Sequence, residues 1–559
     1  MNKKFQLSIC IIFILQLSFA QDSIKFVLVK NIRKKVTGLY DESSYPRNFT
    51  VLNDKMVFVA AGDSVGIELF ITDGTSDGTR LLKNINAYHQ NQTSESDNSS
   101  HPYELTVFGD KIIFGADDDI HGYEPWITDG TTQGTTLIKD ILPESYGSNN
   151  GSDPNYFIEY NNKIYFNANE GRGNELYVTD GTELGTYMLK DISTSGSSEP
   201  SHFVVYKNIL FFSASDTAGN ELWRTDGTES GTYRVKDISN VWGGSHPSNF
   251  FEYQNKLFFS AQGDSIGCEL WITDGTDEGT VLNKDINLKK NSGSNPREFT
   301  VFNNKLYFIA SDSVHGQELW CINSDSTYMV IDISPDIGAL TYSKIHVFNG
   351  RLYFKARMTE FSDHTLWTSD GTEDGTFEFF SIDTISGDTI SVEEPEFFIN
   401  WHNCLIFKAQ KQSTENNQLW ITDGTMENTK QLFPDSIVGW SPISGSEYVF
   451  YKDEIYFSAS FIDSIGVELY KLVIDTVKVP KLINEKYNII VYPNPVSNTL
   501  FLEFDGDLNP KNVYLIDING KTILTTRSNS DKVELNLVNL KSGFYILKIK
   551  TLDKIHLRK

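Results

Sequence analysis

The sequence predicts an all-β protein: a β-propeller of four-stranded blades followed by a small Ig-like β-sandwich. Three observations predict it. Aromatic residues make up 13% of the chain, with 37 Phe and 26 Tyr, which favours strands with a sizeable core over helices. One motif is restated at intervals of 46 to 56 residues along most of the chain. Beyond it the pattern changes to alternating strands separated by Asn-Gly and Ser-Gly turns, the grammar of a small sandwich.

The first twenty residues carry Lys3 and Lys4, an apolar stretch from Ile9 to Leu17, and Ser18-Phe19-Ala20 before Gln21. This pattern is that of a Sec signal peptide over 1–20 with cleavage between Ala20 and Gln21, and the apolar run is short for a membrane span. No other segment reaches transmembrane length, so no span is expected in the mature chain. Cleavage removes two lysines and no acids, taking the formal charge from −26 to −28. Such a balance repels nucleic acid and anionic membrane. Cys268, Cys321 and Cys404 are an odd, widely spaced set and read as packed thiols, neither disulfide framework nor zinc site.

The repeat is clearest in Glu269-Leu270-Trp271-Ile272-Thr273-Asp274-Gly275-Thr276-Asp277-Glu278-Gly279-Thr280. The residue before the aromatic recurs at Leu69, Pro125, Leu176, Leu222, Leu270, Leu319, Leu366, Leu419 and Leu469, a mean spacing of 50. About ten residues upstream of each copy lies a Phe-x-Ala, beginning at Phe58, Phe114, Phe166, Phe212, Phe259, Phe308, Phe354, Phe407 and Phe457. With alternating flanks and turn residues between them, each unit reads as four short strands joined by hairpins, the content of one propeller blade. A β-solenoid is the rival, but its coils are shorter and its strands parallel.

Ring closure supplies a further expectation. The ninth unit ends in Glu468-Leu469-Tyr470-Lys471 without an outer strand, while Val27-Leu28-Val29-Lys30-Asn31-Ile32 matches the outer strand Leu81-Leu82-Lys83-Asn84-Ile85 and has no unit of its own. Strand 27–32 is therefore expected beside Glu468 to Lys471, closing the last blade of a propeller that spans 21–474. The count gives nine blades; eight, with one degenerate unit, is the alternative.

These residues resemble the ELWxxDGT repeat family of bacterial surface proteins, over about Phe49 to Ile474. The resemblance implies a repeat scaffold on the cell surface and no known reaction. The pattern departs where Cys321-Ile322-Asn323-Ser324-Asp325 replaces the loop of unit six, and where Met426-Glu427-Asn428 leaves unit eight without its second Gly-Thr.

After a linker at 475–487, the chain carries Tyr492-Pro493-Asn494-Pro495, then Val513-Tyr514-Leu515-Ile516-Asp517, then Gly543-Phe544-Tyr545-Ile546. Over 488–559 this resembles the type A sorting domain of the type IX secretion system. The resemblance implies Sec transit to the periplasm, recognition of this domain by the type IX machinery as partner, and a place at the outer-membrane cell surface or in the medium.

Thr-Asp-Gly-Thr-x-x-Gly-Thr invites reading as a site. Asp accepts N–H bonds within its own turn and Gly supplies positive φ, so Asp73, Gly74, Asp129, Gly130, Asp180, Gly181, Asp226, Gly227, Asp274 and Gly275 read as structural loop residues. They resemble the Asp-box loops of sialidase propellers. Calcium held by Asp73, Asp129, Asp180, Asp226 and Asp274 is the alternative, although one Asp per loop supplies few ligands. Gly62-Asp63-Ser64-Val65-Gly66 and Gly263-Asp264-Ser265-Ile266-Gly267 match a nucleophile elbow in letters only, because a strand follows at once. Asp117-Asp118-Asp119 beside His121 reads as an acidic hairpin tip. The in-frame tryptophans Trp126, Trp223, Trp271, Trp320, Trp367 and Trp420 read as packing, whereas Trp242, Trp401 and Trp440, outside the frame, are the sugar-stacking candidates.

No catalytic residue and no cofactor are expected. The function that follows is a non-enzymatic secreted or surface scaffold recognising extracellular glycans or proteins through loops such as Asn86 to Pro102. A secreted carbohydrate-active or other hydrolytic propeller is the alternative, and would need acids clustered in the channel outside the repeat frame.

Overall fold

In a computed structural model the described residues are 24–33, 43–87, 98–143, 151–240, 243–324, 326–335, 338–382, 387–411, 417–432, 448–461, 465–474, 489–492, 499–504, 511–517, 522–530, 532–537, 545–550 and 555–558. None of them is in an α-helix, and the chain divides into two compact units, one of them Lys25–Val473. Ala20, Gln21, Pro493, Asn494, Pro495, Trp242, Trp440 and the 475–487 linker lie outside the described residues.

Each sequence repeat folds as a four-stranded antiparallel meander. In unit one the strands are Arg47–Leu52, Lys55–Gly62, Gly66–Thr72 and Arg80–Lys83, paired in chain order. The Asp63-Ser64 stretch is the hairpin tip between the second and third strands, with Gly62 opposite Gly66 and Ser64 at φ 59°. Units two to six repeat this arrangement. Units seven and eight are joined into one sheet by a single pairing, Thr365 opposite Glu393. Unit nine contributes Tyr448–Tyr451, Glu454–Ala459 and Glu468–Ile474, and its fourth strand is Ile24–Lys30 from the other end of the chain.

The sheets bury their faces against one another around the ring. Val57, Val59 and Leu69 of unit one pack on Ile112, Phe114, Ala116 and Trp126 of unit two, so Phe-x-Ala and the motif tryptophan face the preceding unit. The same clusters recur between later units. Val29, Tyr456 and Leu469 of unit nine close the circle on Met56, Phe58 and Ala60 of unit one. First strands of successive units lie side by side and form the inner rim. The fold is an all-β propeller, closed by its N-terminal strand.

The Glu of the Glu-Leu-Trp motif fastens this packing. Glu68 is fully buried, and its carboxylate accepts the N–H groups of Ile85 and Asn86, where the outer strand ends, and the hydroxyl of Ser100, which leads into unit two. The Ser100 carbonyl in turn accepts the N–H of Asp117 in unit two's second strand. Glu124, Glu175, Glu221 and Glu269 repeat the clamp with Ser152, Ser198, Ser245 and Ser294. Burial pushes Glu68 and Glu124 up to about 7 against the downward pull of these bonds.

In the C-terminal part, Ile489–Tyr492, Thr499–Phe504 and Lys532–Asn536 form one sheet, and Lys511–Asp517, Thr522–Ser528, Tyr545–Lys550 and Ile555–Arg558 a second. Leu500, Leu502, Val513, Leu515, Val533 and Leu535 are buried. Alternation of inward apolar and outward polar residues, as in the Lys532–Asn536 strand, is what lets a sheet bury one face.

Candidate functional site

Units seven and eight break the repeat where the inner rim is built. Where the other seven units have the clamp Glu, these carry Thr365 and Gln418, and the middle residue of Phe-x-Ala becomes Lys355 and Lys408. That middle position faces the start of the first strand: in unit four Ser213 pairs with Ser201, and in unit eight Lys408 pairs with Glu396. The charges therefore point toward the rim strand of unit eight, Val392–Trp401, whose register is broken on either side of Glu396.

Lys355 has 7% of its side chain exposed, and its ammonium bonds Glu394 at 3.1 Å and Glu396 at 2.9 Å. His364 Nδ1 lies 3.0 Å from Glu394 Oε1. The His364 bond, with Lys355 behind it, holds Glu394 down to about 2, despite burial acting the other way. Burial opposes the charge on Lys355, but the two carboxylates raise its pKa. Lys408 is half-buried, and its burial lowers its pKa; its Nζ sits 5.3 Å from the Phe397 ring centre, a cation–π contact.

Of these groups Lys355, Glu396 and Phe397 border a cavity of about 600 Å³ at the inner rim of units six to nine, which Glu298, Tyr342, His346 and Tyr448 also line. His346 stacks on Phe398 and Phe397 meets Tyr448 edge-on. The Tyr448 hydroxyl is buried with no hydrogen-bond partner among the described residues. The volume is within the range of small-ligand pockets, and aromatic faces beside fixed charges suit a small molecule with one apolar face and polar edges. Glu394, held ionised, is unsuited to donating a proton.

The loop residues expected from sequence lie elsewhere, at the hairpins between third and fourth strands. Asp73 Oδ1 accepts both the N–H and the hydroxyl of Thr75, and Thr79 bonds the Thr72 hydroxyl and the Thr75 carbonyl. Asp129, Asp180, Asp226 and Asp274 make the same pair of bonds. Gly74, Gly130, Gly181, Gly227 and Gly275 all have positive φ. Among the described residues no group of three or more His, Cys, Asp or Glu is placed to hold a metal ion. His121 pairs with Asp118 at 2.8 Å at its hairpin tip. Tyr492 ends the strand Ile489–Tyr492.

One expectation is corrected. Trp401 is no stacking platform: it is 2% exposed, and its indole N–H donates to the Asp453 carbonyl of unit nine at 3.1 Å. Its position at the end of the rim strand buries it between units eight and nine. The in-frame Trp126, Trp223, Trp271, Trp320, Trp367 and Trp420 are buried, as are Cys321 and Cys404. Lys355, Glu394, Glu396 and Lys408 escaped the sequence reading, although Phe-Lys-Ala in two neighbouring units was the visible signal.

Residues 490–559 match the family described as the secretion system C-terminal sorting domain. The chain thus carries a type IX sorting tail, which directs export to the cell surface or extracellular space. No helix among the described residues is long and apolar enough to cross a membrane. No curated protein matches the chain. Among solved structures, it is similar to puromycin hydrolase (11% identity, 66% of this chain and 59% of that one, TM-score 0.33). It is also similar to PorZ, described as a surface component of the type IX secretion system of Porphyromonas gingivalis (11%, 94% and 82%, 0.26). A third is the β-propeller domain of the Trilobed protease from Pyrococcus furiosus (10%, 71% and 97%, 0.30). The chain spans about three fifths of the length of the puromycin hydrolase.

Proposed function

We propose that this exported propeller recognises an extracellular glycan at its inner rim, without turning it over, and that its ring has nine blades. The observation that carries the reading is the joint departure of units seven and eight from the repeat. Clamp carboxylates are absent there, and Lys355, paired with Glu394 and Glu396, lines an aromatic-walled cavity together with Glu396. Ring faces stack on aromatics and hydroxyls bond fixed charges, which together give orientation and affinity. A glycosidase of the two-carboxylate kind would need one carboxyl group poised to give up a proton; Glu394 is held ionised instead, and Lys355 also binds Glu396. On this reading the Thr-Asp-Gly-Thr loops, Asp73 to Gly275, are structural, with signal cleavage at Ala20 and Gln21 and sorting through the Tyr492 to Pro495 segment.

The test is binding of the purified full chain to a panel of neutral and acidic extracellular polysaccharides, by calorimetry and on arrays. Phe397→Ala and Lys355→Met are expected to weaken the binding partner found by at least tenfold while the propeller stays folded. Absence of binding, or binding indifferent to both variants, would overturn the reading.

A further inference from the structure

The loop of each unit is seated in a notch of the unit before it. A Cβ added at Gly227 would lie 2.7 Å from the Tyr165 hydroxyl, and one at Gly275 3.1 Å from the Phe211 ring, so any side chain there would have to displace the aromatic. Gly371 meets Tyr307 and Gly74 meets Tyr456 in the same way. Beside five of these seats a lysine at or just past the outer strand donates to a main-chain carbonyl of the arriving loop: Lys83 to Thr135, Lys139 to Thr186, Lys190 to Glu229, Lys236 to Asp277, and Lys30, from the closing strand, to Ser76. Lys236 also bonds the Asp277 carboxylate at 2.9 Å.

Unit six has no such loop to offer. Its hairpin is a short turn in which the Asn323 side chain accepts the N–H of Ser326. The notch of unit five is therefore an open cavity of about 430 Å³, floored by Tyr253 and Phe258 and edged by Lys256, Asn283, Lys284 and Asn323. Lys284 stands in register with Lys83, Lys139, Lys190 and Lys236; its backbone pairs with Leu270, and its exposed ammonium makes no hydrogen bond or ion pair among the described residues. Just before it, Asn283 replaces the apolar Leu82, Ile138, Leu189 and Val235 of units one to four. Its side-chain oxygen is buried without a hydrogen-bond partner among the described residues.

We propose that this notch is a binding site for a glycine-containing, acidic peptide turn supplied by another protein. A turn of that kind offers a main-chain N–H to the orphaned Asn283 oxygen, a carbonyl and a carboxylate to Lys284, and a glycine to the aromatic floor. The lysine-to-carbonyl bond and the glycine against an aromatic ring are contacts its own loops make in neighbouring notches, the carboxylate bond is that of Lys236 with Asp277, and the bond to Asn283 is particular to this notch. The site is separate from the inner-rim cavity and does not depend on it.

The test uses the full chain and a cyclised peptide with the sequence of residues 272–281, titrated by NMR. Saturable binding is expected, weakened at least tenfold by Lys284→Ala and by Asn283→Leu, the residue that units one and three carry at that position. A variant whose 323–326 turn is replaced by Asp-Gly-Thr-Asp-Glu-Gly-Thr should fill its own notch and lose the peptide. Binding that all three variants retain, or none at millimolar peptide, would overturn the proposal. So would occupation of the notch by an acidic oligosaccharide in place of the peptide.

Discussion

The carboxylate of Glu468 accepts the backbone N–H of Ile32 at 3.0 Å, joining residues 436 positions apart. It also takes the N–H of Arg33 and the hydroxyl of Ser44 at 2.6 Å. This repeats what Glu68 does with Ile85, Asn86 and Ser100 inside one continuous stretch of chain. The N-terminal strand thus brings to unit nine both the missing sheet edge and the ligands of the missing clamp.

Removing one hydroxyl from a clamp should cost measurable stability without altering the fold. Ser100→Ala leaves Glu68 buried with one donor fewer, at about 1–3 kcal/mol. Urea unfolding should show a lower midpoint with an unchanged slope.

The clamps make stability fall as pH rises. Glu68, Glu124 and Glu468 are raised from 4.5 to about 7, and Glu318 to about 8, chiefly by burial. The native state therefore holds protons that the unfolded chain releases. Their contribution is whole below about pH 4.5 and is lost as pH climbs through 7 to 8. For Glu68 the swing is on the order of 3 kcal/mol. Unfolding free energy measured from pH 5 to 8 should decline, and Glu68→Gln should make the decline shallower. An unchanged slope in that variant would count against the clamp as the titrating group.

Gly74→Ala should destabilise more than Gly109→Ala. Both have positive φ, but a Cβ at Gly74 would clash with the Tyr456 hydroxyl, whereas Gly109 has nothing within 4 Å. The expected costs are about 3 kcal/mol and about 1 kcal/mol. Comparable thermal shifts would contradict the loop-in-notch packing.

Calcium should leave the melting temperature where it is, with chelator producing no change. Each loop Asp already accepts two bonds from its own Thr, and those bonds hold Asp73 and Asp274 below the usual carboxylate range. Asp274→Ala should cost about 1 kcal/mol in the presence or absence of the ion. Stabilisation by calcium that Asp274→Ala reduces would restore the metal reading.

Much of the ring was legible in the residues because a meander that buries both faces must restate its pattern once per sheet. Phe-x-Ala and Glu-Leu-Trp gave the period, and the mismatch between Val27 to Ile32 and unit nine gave the closure. The clamp was not legible: a Glu at seven of the nine copies looks like a solvated strand position until the next unit's Ser is seen above it. The inner-rim site depends on which strands become neighbours, so Lys355 and Glu396, 41 positions apart, could not be paired from spacing. Trp401 misled because lying outside the repeat frame says nothing of burial when the strand end is covered by the next sheet.

Amide hydrogen exchange at Ile32 and Arg33 tests ring closure most directly. Both amides should exchange as slowly as Ile85 and Asn86, and Glu468→Ala should release them while Ile85 and Asn86 stay protected. Fast exchange of Ile32 and Arg33 in the unaltered protein would contradict a propeller closed by its first strand.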